Sequence, residues 1–272
     1  MTIALKHWES YVVKQGAKVR LGAVPALGTE FCDDKKAARA QLKKYRKEID
    51  ELLAILAEEE KRSLLVILQG MDASGKDGAV RKVFTGVNPA YCKVVSFKEP
   101  DREELAHDYL WRVYRALPAM GELGVFNRSQ YEDVLARQAR GDISHKEGRQ
   151  RLRQIADIER TWSQNGTVLR KFFLHISCDE QTRRFEARLD TPEKHWKVQE
   201  SDFKDRKLWP KFAAAYEEVL SRTSTPQAPW YIIPADRKWY RDVAIAGVVL
   251  AALRSMRPRI PKPKIDRKHL AI

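Results

Sequence analysis

The chain has 272 residues, with 51 Lys and Arg against 37 Asp and Glu, a formal net charge of +14. At 43% hydrophobic and 32% charged residues, with only 13 Gly and 12 Pro, the composition excludes a disordered or fibrous chain and supplies the side chains of a large buried core. A positive excess of this size calls for a polyanionic partner: nucleic acid, an anionic surface, or a phosphate-rich small molecule or polymer.

Residues 1–33 carry scattered Gly and Pro, as in Leu21-Gly22-Ala23-Val24-Pro25, without a sustained period. They are expected to form an irregular arm. From Lys35 to Glu60 the positions Leu42, Tyr45, Ile49, Leu52, Leu53 and Leu56 recur at helical spacing between charged residues, which predicts an amphipathic helix. The run Ser63 to Gln69 is continuously apolar in its middle, as in a strand covered on both faces of a parallel sheet. Four further short runs resemble it: Lys93 to Phe97, Gly124 to Asn127, Lys171 to Ser177 and Trp230 to Pro234. Helical patterns separate successive runs, which implies crossover connections and a three-layer α/β domain.

Two connecting segments are strongly charged. Arg137 to Thr161 reads as an Arg-rich helix. Arg183 to Lys211 holds nine Lys or Arg against six acidic residues, interleaved with Phe185, Trp196, Phe203 and Trp209, and reads as a basic flap over the sheet edge. The longest apolar run, Val243 to Leu253, is shorter than the roughly 20 residues needed to cross a bilayer, and the N-terminus has no signal-like apolar core. The stretch Pro258 to Lys264 reads as an extended surface segment. Cys32, Cys92 and Cys178 are odd in number and far apart. They argue against a disulfide framework or structural zinc and for a reducing compartment, so a cytoplasmic location with no membrane partner is expected.

The chemistry begins directly after the first strand, at Gly70-Met71-Asp72-Ala73-Ser74-Gly75-Lys76-Asp77-Gly78, a G-x-x-x-x-G-K pattern in a strand, loop, helix context. Its glycines permit a backbone wrap that turns successive N–H groups inward, and the helix that follows adds the positive end of its dipole. The cradle residues are Gly70, Ala73, Ser74, Gly75, Lys76, Asp77 and Gly78, with Lys76 reaching the phosphoryl group in transfer. The competing reading is a plain turn with a solvated lysine. Asp77 stands where such loops usually carry the Ser or Thr that binds Mg²⁺, so another ligand is needed. Asp72 is the candidate, because a carboxylate there repels bound phosphate unless a metal lies between them; the bland alternative is an Asx-type turn.

A second constellation, Phe126-Asn127-Arg128-Ser129-Gln130-Tyr131-Glu132-Asp133, ends the third strand. Ligands of open α/β sheets bind beyond the carboxyl ends of the strands, so these residues are expected to face the same crevice. Asn127 takes the place of the usual Walker B acid. Arg128 is a planar fork suited to phosphate oxygens. A helix start capped by Ser129, with Glu132 completing a capping box, is an equal and compatible reading.

These stretches, together with Phe97-Lys98-Glu99-Pro100, His107-Asp108-Tyr109-Leu110-Trp111-Arg112, Arg184-Phe185 with Arg188, Trp196-Lys197, and Thr223-Ser224-Thr225 with Ala228-Pro229-Trp230, resemble the family-2 polyphosphate kinases. The resemblance implies a P-loop kinase fold of the thymidylate-kinase type, with a five-stranded parallel sheet and a helical lid. It implies one domain over residues 1–272, with the arm at 1–33 and the lid at 179–211. It further implies Mg²⁺-dependent, reversible phosphoryl transfer between inorganic polyphosphate and nucleotides, AMP to ADP and ADP to ATP. Asp72, Lys76 and Arg128 then carry catalysis, with Asp72 at the metal. Lys98, Arg183, Arg184, Arg188 and Lys197 are the favoured further phosphate contacts. Asn127 and Glu132 match the subgroup that accepts both AMP and ADP and are assigned to the nucleotide.

Phosphoryl transfer has a loose transition state, so the protein needs cations more than a base, and His107, His145, His175 and His195 are expected to be structural or on the surface. The expected partners are inorganic polyphosphate and adenine nucleotides, with guanine nucleotides as a further candidate, and a homo-oligomer follows from the helical surfaces and long arm. Two rivals remain: an ATP-dependent nucleoside monophosphate or small-molecule kinase of the same fold, and a nucleic-acid-binding protein that uses the basic face. No zinc-finger or helix-turn-helix signature supports the second.

Overall fold

The computed structural model describes residues 4–197 and 200–262. Five strands, β1 Ser63–Gln69, β2 Cys92–Ser96, β3 Leu123–Asn127, β4 Thr167–His175 and β5 Trp230–Pro234, form one sheet in the order β2-β3-β1-β4-β5. Every neighbouring pair is parallel. The described helices are, in chain order, α1 Leu5–Trp8, α2 Lys35–Glu59, α3 Lys76–Val83, α4 Arg102–Leu105, α5 Trp111–Ala116, α6 Glu132–Arg140, α7 His145–Gln164, α8 Cys178–Leu189, α9 Glu200–Lys207, α10 Trp209–Thr223 and α11 Lys238–Met256. Helices α1, α2 and α3 gather round α11, while α6, α7 and α10 pack on one another, and α11 and α7 both lie against β4. The sheet is the middle layer of an α/β fold. The chain leaves β1, crosses to β2, returns beside β1 as β3, then passes to the other side as β4, so β1 is the switch point and the loops after β1, β3 and β4 meet above it.

Burial explains the strand signals. All residues of β1 and β5 are buried, whereas the edge strand β2 is largely open. Helix α2 follows its predicted period: Asp34 caps it by accepting from the Lys36 N–H at 2.7 Å, and Leu42, Tyr45, Ile49, Leu53 and Leu56 point inward. Strand β4 starts at Thr167, four residues before the predicted Lys171, because Thr167 to Arg170 extend the pairing with β1.

Two expectations are corrected. The Arg-rich segment is two helices: α6 ends at Gly141 in the left-handed region (φ 87°), and Ser144 caps α7 by accepting from the Glu147 N–H. The capping box at Ser129 does not form. Tyr131 precedes α6 without a side-chain cap; the Ser129 hydroxyl accepts from Gln69 Nε2 at 3.1 Å and from the Tyr131 N–H at 3.4 Å, while the Glu132 N–H goes to the Ser129 carbonyl. The N-terminal arm, whose role the sequence leaves open, packs into the core. Trp8 is fully buried, its indole N–H donates to Tyr45 Oη at 3.3 Å, and a Cβ on Gly247 of α11 would overlap its ring. Farther along, Val12 bridges Tyr231 antiparallel and the Val13 N–H donates to the Trp230 carbonyl at 2.8 Å, so the arm shields the edge strand β5.

Candidate active site

At the carboxyl end of β1 the loop turns through conformations that restrict its residues. Gly70 has φ 155°, and a Cβ there would press on the Leu174 carbonyl. Ala73 (φ 59°) and Gly75 (φ 95°) are left-handed, and a Cβ on Gly75 would overlap the Arg241 guanidinium. Helix α3 then starts at Lys76, with Asp77 in its first turn. Lys76 Nζ curls back under the loop and donates to the Gly70 carbonyl at 2.7 Å. Its burial pushes its pKa down, and Arg128 adds to this, against Asp72, Glu132 and Asp77. The Ser74 hydroxyl is buried in the loop and finds no partner among the described residues.

Two buried arginines brace this loop from behind. Arg184 spends all its donors on protein oxygens: Nε on Glu180, Nη1 on the carbonyls of Ala73 (2.8 Å) and Ser74 (2.9 Å), and Nη2 on those of Ala235 and Asp236. In this arrangement it clamps the backbone that forms the cradle. Arg241, at the start of α11, donates to the Ser74 carbonyl at 3.3 Å and is neutralised by Asp242.

Across the crevice, Arg128 also sits in the left-handed region (φ 65°), and its Nη2 meets Asp72 Oδ1 at 3.4 Å. Burial works against the Arg128 charge, but Glu132 and Asp72 outweigh it and raise its pKa. Asn127 points its amide to Asp77 Oδ1 at 2.6 Å, tying the end of β3 to the first turn of α3. The resulting cleft is lined by Gly70, Met71, Asp72, Lys76, Arg128 and Glu132, and by Ala136, Arg140, Gln181, Asp205, Arg206, Trp209, Phe212 and Tyr216.

Among the predicted anion contacts, Lys98 is exposed beyond β2, Arg183 pairs with Glu180 at 3.1 Å on an exposed face of α8, and the Arg188 guanidinium lies over the Phe185 ring. None of the three lines the cleft. The Lys197 side chain lies outside the described residues. Arg140 and Arg206, which also line the cleft, stand out in the sequence only as members of its charged segments. Arg140 forms a two-pronged pair with Asp205 at 3.0 and 2.7 Å, joining α6 to α9. Arg206 donates to Gln181 Oε1 at 2.6 Å, and the Gln181 amide donates to the Asp72 carbonyl at 2.9 Å. A continuous hydrogen-bond path thus runs from α9 to the loop. Tyr216 closes the cleft wall; burial holds its hydroxyl protonated, and Glu132 and Asp72 reinforce this.

The chain matches the family model for Polyphosphate kinase 2 over residues 32–261. It is 43% identical to an AMP/ADP-polyphosphate phosphotransferase of Meiothermus ruber over 89% of this chain and 91% of that protein. It is 39% identical to an ADP-polyphosphate phosphotransferase of Rhodopseudomonas palustris over 96% of this chain and 94% of that one. The crystal structure of a polyphosphate kinase 2 from Arthrobacter aurescens superposes with a TM-score of 0.92 at 36% identity, covering 96% of this chain and 94% of the other.

Proposed function

The chain belongs to the polyphosphate kinase 2 family, and we propose that it transfers phosphoryl groups between inorganic polyphosphate and adenine nucleotides, with both AMP and ADP as acceptors. The observation that carries this reading is the cleft itself, where an anion cradle floored by buried Lys76 faces Arg128 across Asp72. The name of the Meiothermus ruber relative supports the pair of acceptors, as do Asn127 and Glu132 in this chain.

Mg²⁺ fits the donor set. Asp72 lines the cleft, a quarter of its side chain is exposed, and its ion pair with Arg128 is long at 3.4 Å. Among the described residues no three His, Cys, Asp or Glu side chains converge, so Asp72 would hold the ion with substrate phosphates and water as its remaining ligands. Bound there, the ion would offset charge on the phosphate oxygens.

The rest falls to the chain's own groups. An acceptor phosphate, whose second ionisation lies at about pH 6, is already anionic at neutral pH and needs no base. Its oxygen forms the new P–O bond at the terminal phosphorus of the polymer while the bridging P–O bond breaks, and the shortened polymer leaves with the electron pair. Lys76 and Arg128 stabilise the charge that spreads over the moving group, in a site fixed before reaction. The loop amides position the phosphates, and the segment 179–211, tied to α6 by the Arg140–Asp205 pair, serves as the lid that excludes water.

The test supplies purified protein with ADP, Mg²⁺ and polyphosphate and no ATP. ATP should form, AMP in place of ADP should yield ADP, and Lys76→Ala should lower kcat by about 10²-fold or more. Activity confined to ATP plus a monophosphate would refute the polymer as donor; turnover of ADP without AMP would refute the dual acceptor.

A further inference from the structure

Between β4 and α7 lies an ion pair that the reaction does not use. Lys171 of β4 and Glu159 of α7 have side chains 0% and 2% exposed, with Nζ 2.5 Å from Oε2. The other two Lys171 donors go to Tyr131 Oη at 3.0 Å and the Thr223 carbonyl at 2.8 Å. Glu159 Oε1 accepts from Tyr131 Oη at 2.8 Å and from Gln130 Nε2 at 3.1 Å. Removing two charges from water costs much of what their attraction returns, and apolar residues of similar volume commonly fold as well. Stability is thus a poor account of the pair.

Its partners supply a better one. Gln130 and Tyr131 stand within three positions of Arg128, whose left-handed backbone (φ 65°) is costly for a residue with a side chain and persists only where the surroundings over-determine it. On one side the turn is fastened to β1: the Arg128 N–H donates to the Leu68 carbonyl at 3.0 Å, and Gln69 Nε2 donates to the Ser129 hydroxyl. On the other side the fastening is Glu159 and Lys171. Thr223 ends α10, the helix that places Trp209, Phe212 and Tyr216 on the cleft wall, so the same ammonium group sets two walls of the cleft.

We propose that the buried Lys171–Glu159 pair is a positioning device that holds the Arg128 turn in its left-handed conformation, aiming the guanidinium at the phosphoryl group before substrate arrives. This rests on the role given to Arg128 above. Lys171 and Glu159 touch no substrate; they act through Gln130 and Tyr131.

The test is a cycle of four proteins assayed with ADP, Mg²⁺ and polyphosphate: parent, Arg128→Ala, the double replacement Lys171→Met with Glu159→Leu, and all three changes together. Melting curves report folding. The expected result is a double replacement that melts near the parent, keeps its KM for ADP, and loses about 10²-fold in kcat, the scale of a misplaced catalytic group. Arg128→Ala should lose at least as much, and adding the double replacement to it should lose nothing further. Tyr131→Phe, which keeps the ring and removes only the hydroxyl link, should lower kcat in the same direction and decides the matter if the double replacement does not fold. A folded double replacement with parental kcat, losses that multiply with that of Arg128→Ala, or a Tyr131→Phe protein with parental kcat would overturn the proposal. Full activity in Arg128→Ala alone would instead remove the role of Arg128, and this inference with it.

Discussion

At the residue scale, the site is governed by burial acting on charge. Lys76 loses water on entering the floor of the loop, which lowers its pKa, yet it keeps the Gly70 carbonyl as a partner, and an arriving phosphate restores the stability of its charged form. The same reasoning applies away from the site, to His175. Burial, its first cause, holds its pKa below the ordinary 6.5, against a hydrogen bond at 3.0 Å to the Val24 carbonyl. Because the folded state binds this proton less tightly than the unfolded chain, the stability His175 contributes is complete above 6.5 and is lost as pH falls through the lower folded value. Melting temperature should therefore drop as pH is taken from neutrality into acid, and His175→Gln, which keeps a donor for Val24, should flatten that drop. An unchanged pH slope in the variant would show that His175 does not control it.

At the element scale, α11 shows how the layers lock. Fourteen of its residues are buried, on all sides, because the sheet, α2, α3 and the N-terminal arm surround it. Gly247 is the point of closest approach, where the Trp8 ring occupies the space of a Cβ. Gly247→Ala should destabilise the fold by about 1–3 kcal/mol through overpacking, even though alanine is the better helix former. Chemical denaturation of the two proteins measures this, and a stabilised variant would mean that the arm does not dock as described. The start of α11 works in the opposite direction in space: Arg241 reaches the phosphate loop from behind, and Arg184 of α8 does so beside it. The cradle is thus backed by side chains that present charge to its carbonyls.

At the scale of the whole molecule, the +14 charge is only partly spent in the fold. Surface pairs such as Lys47–Glu51 and Lys204–Glu200 contribute little to stability, and the uncompensated remainder raises the local concentration of a polyanion. Salt screens this within a Debye length of about 8–10 Å. The KM for long-chain polyphosphate should therefore climb with added NaCl more steeply than the KM for ADP, since the polymer engages more charges at once. Initial rates over a salt series provide the comparison, and equal slopes would confine polymer recognition to the cleft.

The sequence by itself determined the five strands, α2, and the loop from Gly70 to Gly78, because each is written in a pattern of hydrophobicity or turn chemistry spanning about ten residues. It also picked out Asp72, Lys76, Arg128 and Glu132, which the fold gathers in one cleft. Only the tertiary structure decided which cations face that cleft. Arg183, Arg184 and Arg206 are alike in a charged segment, yet one is exposed, one clamps the loop carbonyls, and one lines the cleft mouth. The same holds for Lys171, an ordinary strand-start lysine by sequence that becomes a fully buried charge, and for the arm, whose Trp8 matters because α11 leaves room for it at Gly247. A residue's environment is set by elements distant along the chain that the parallel crossovers bring together, and no local period records which partner will be waiting there.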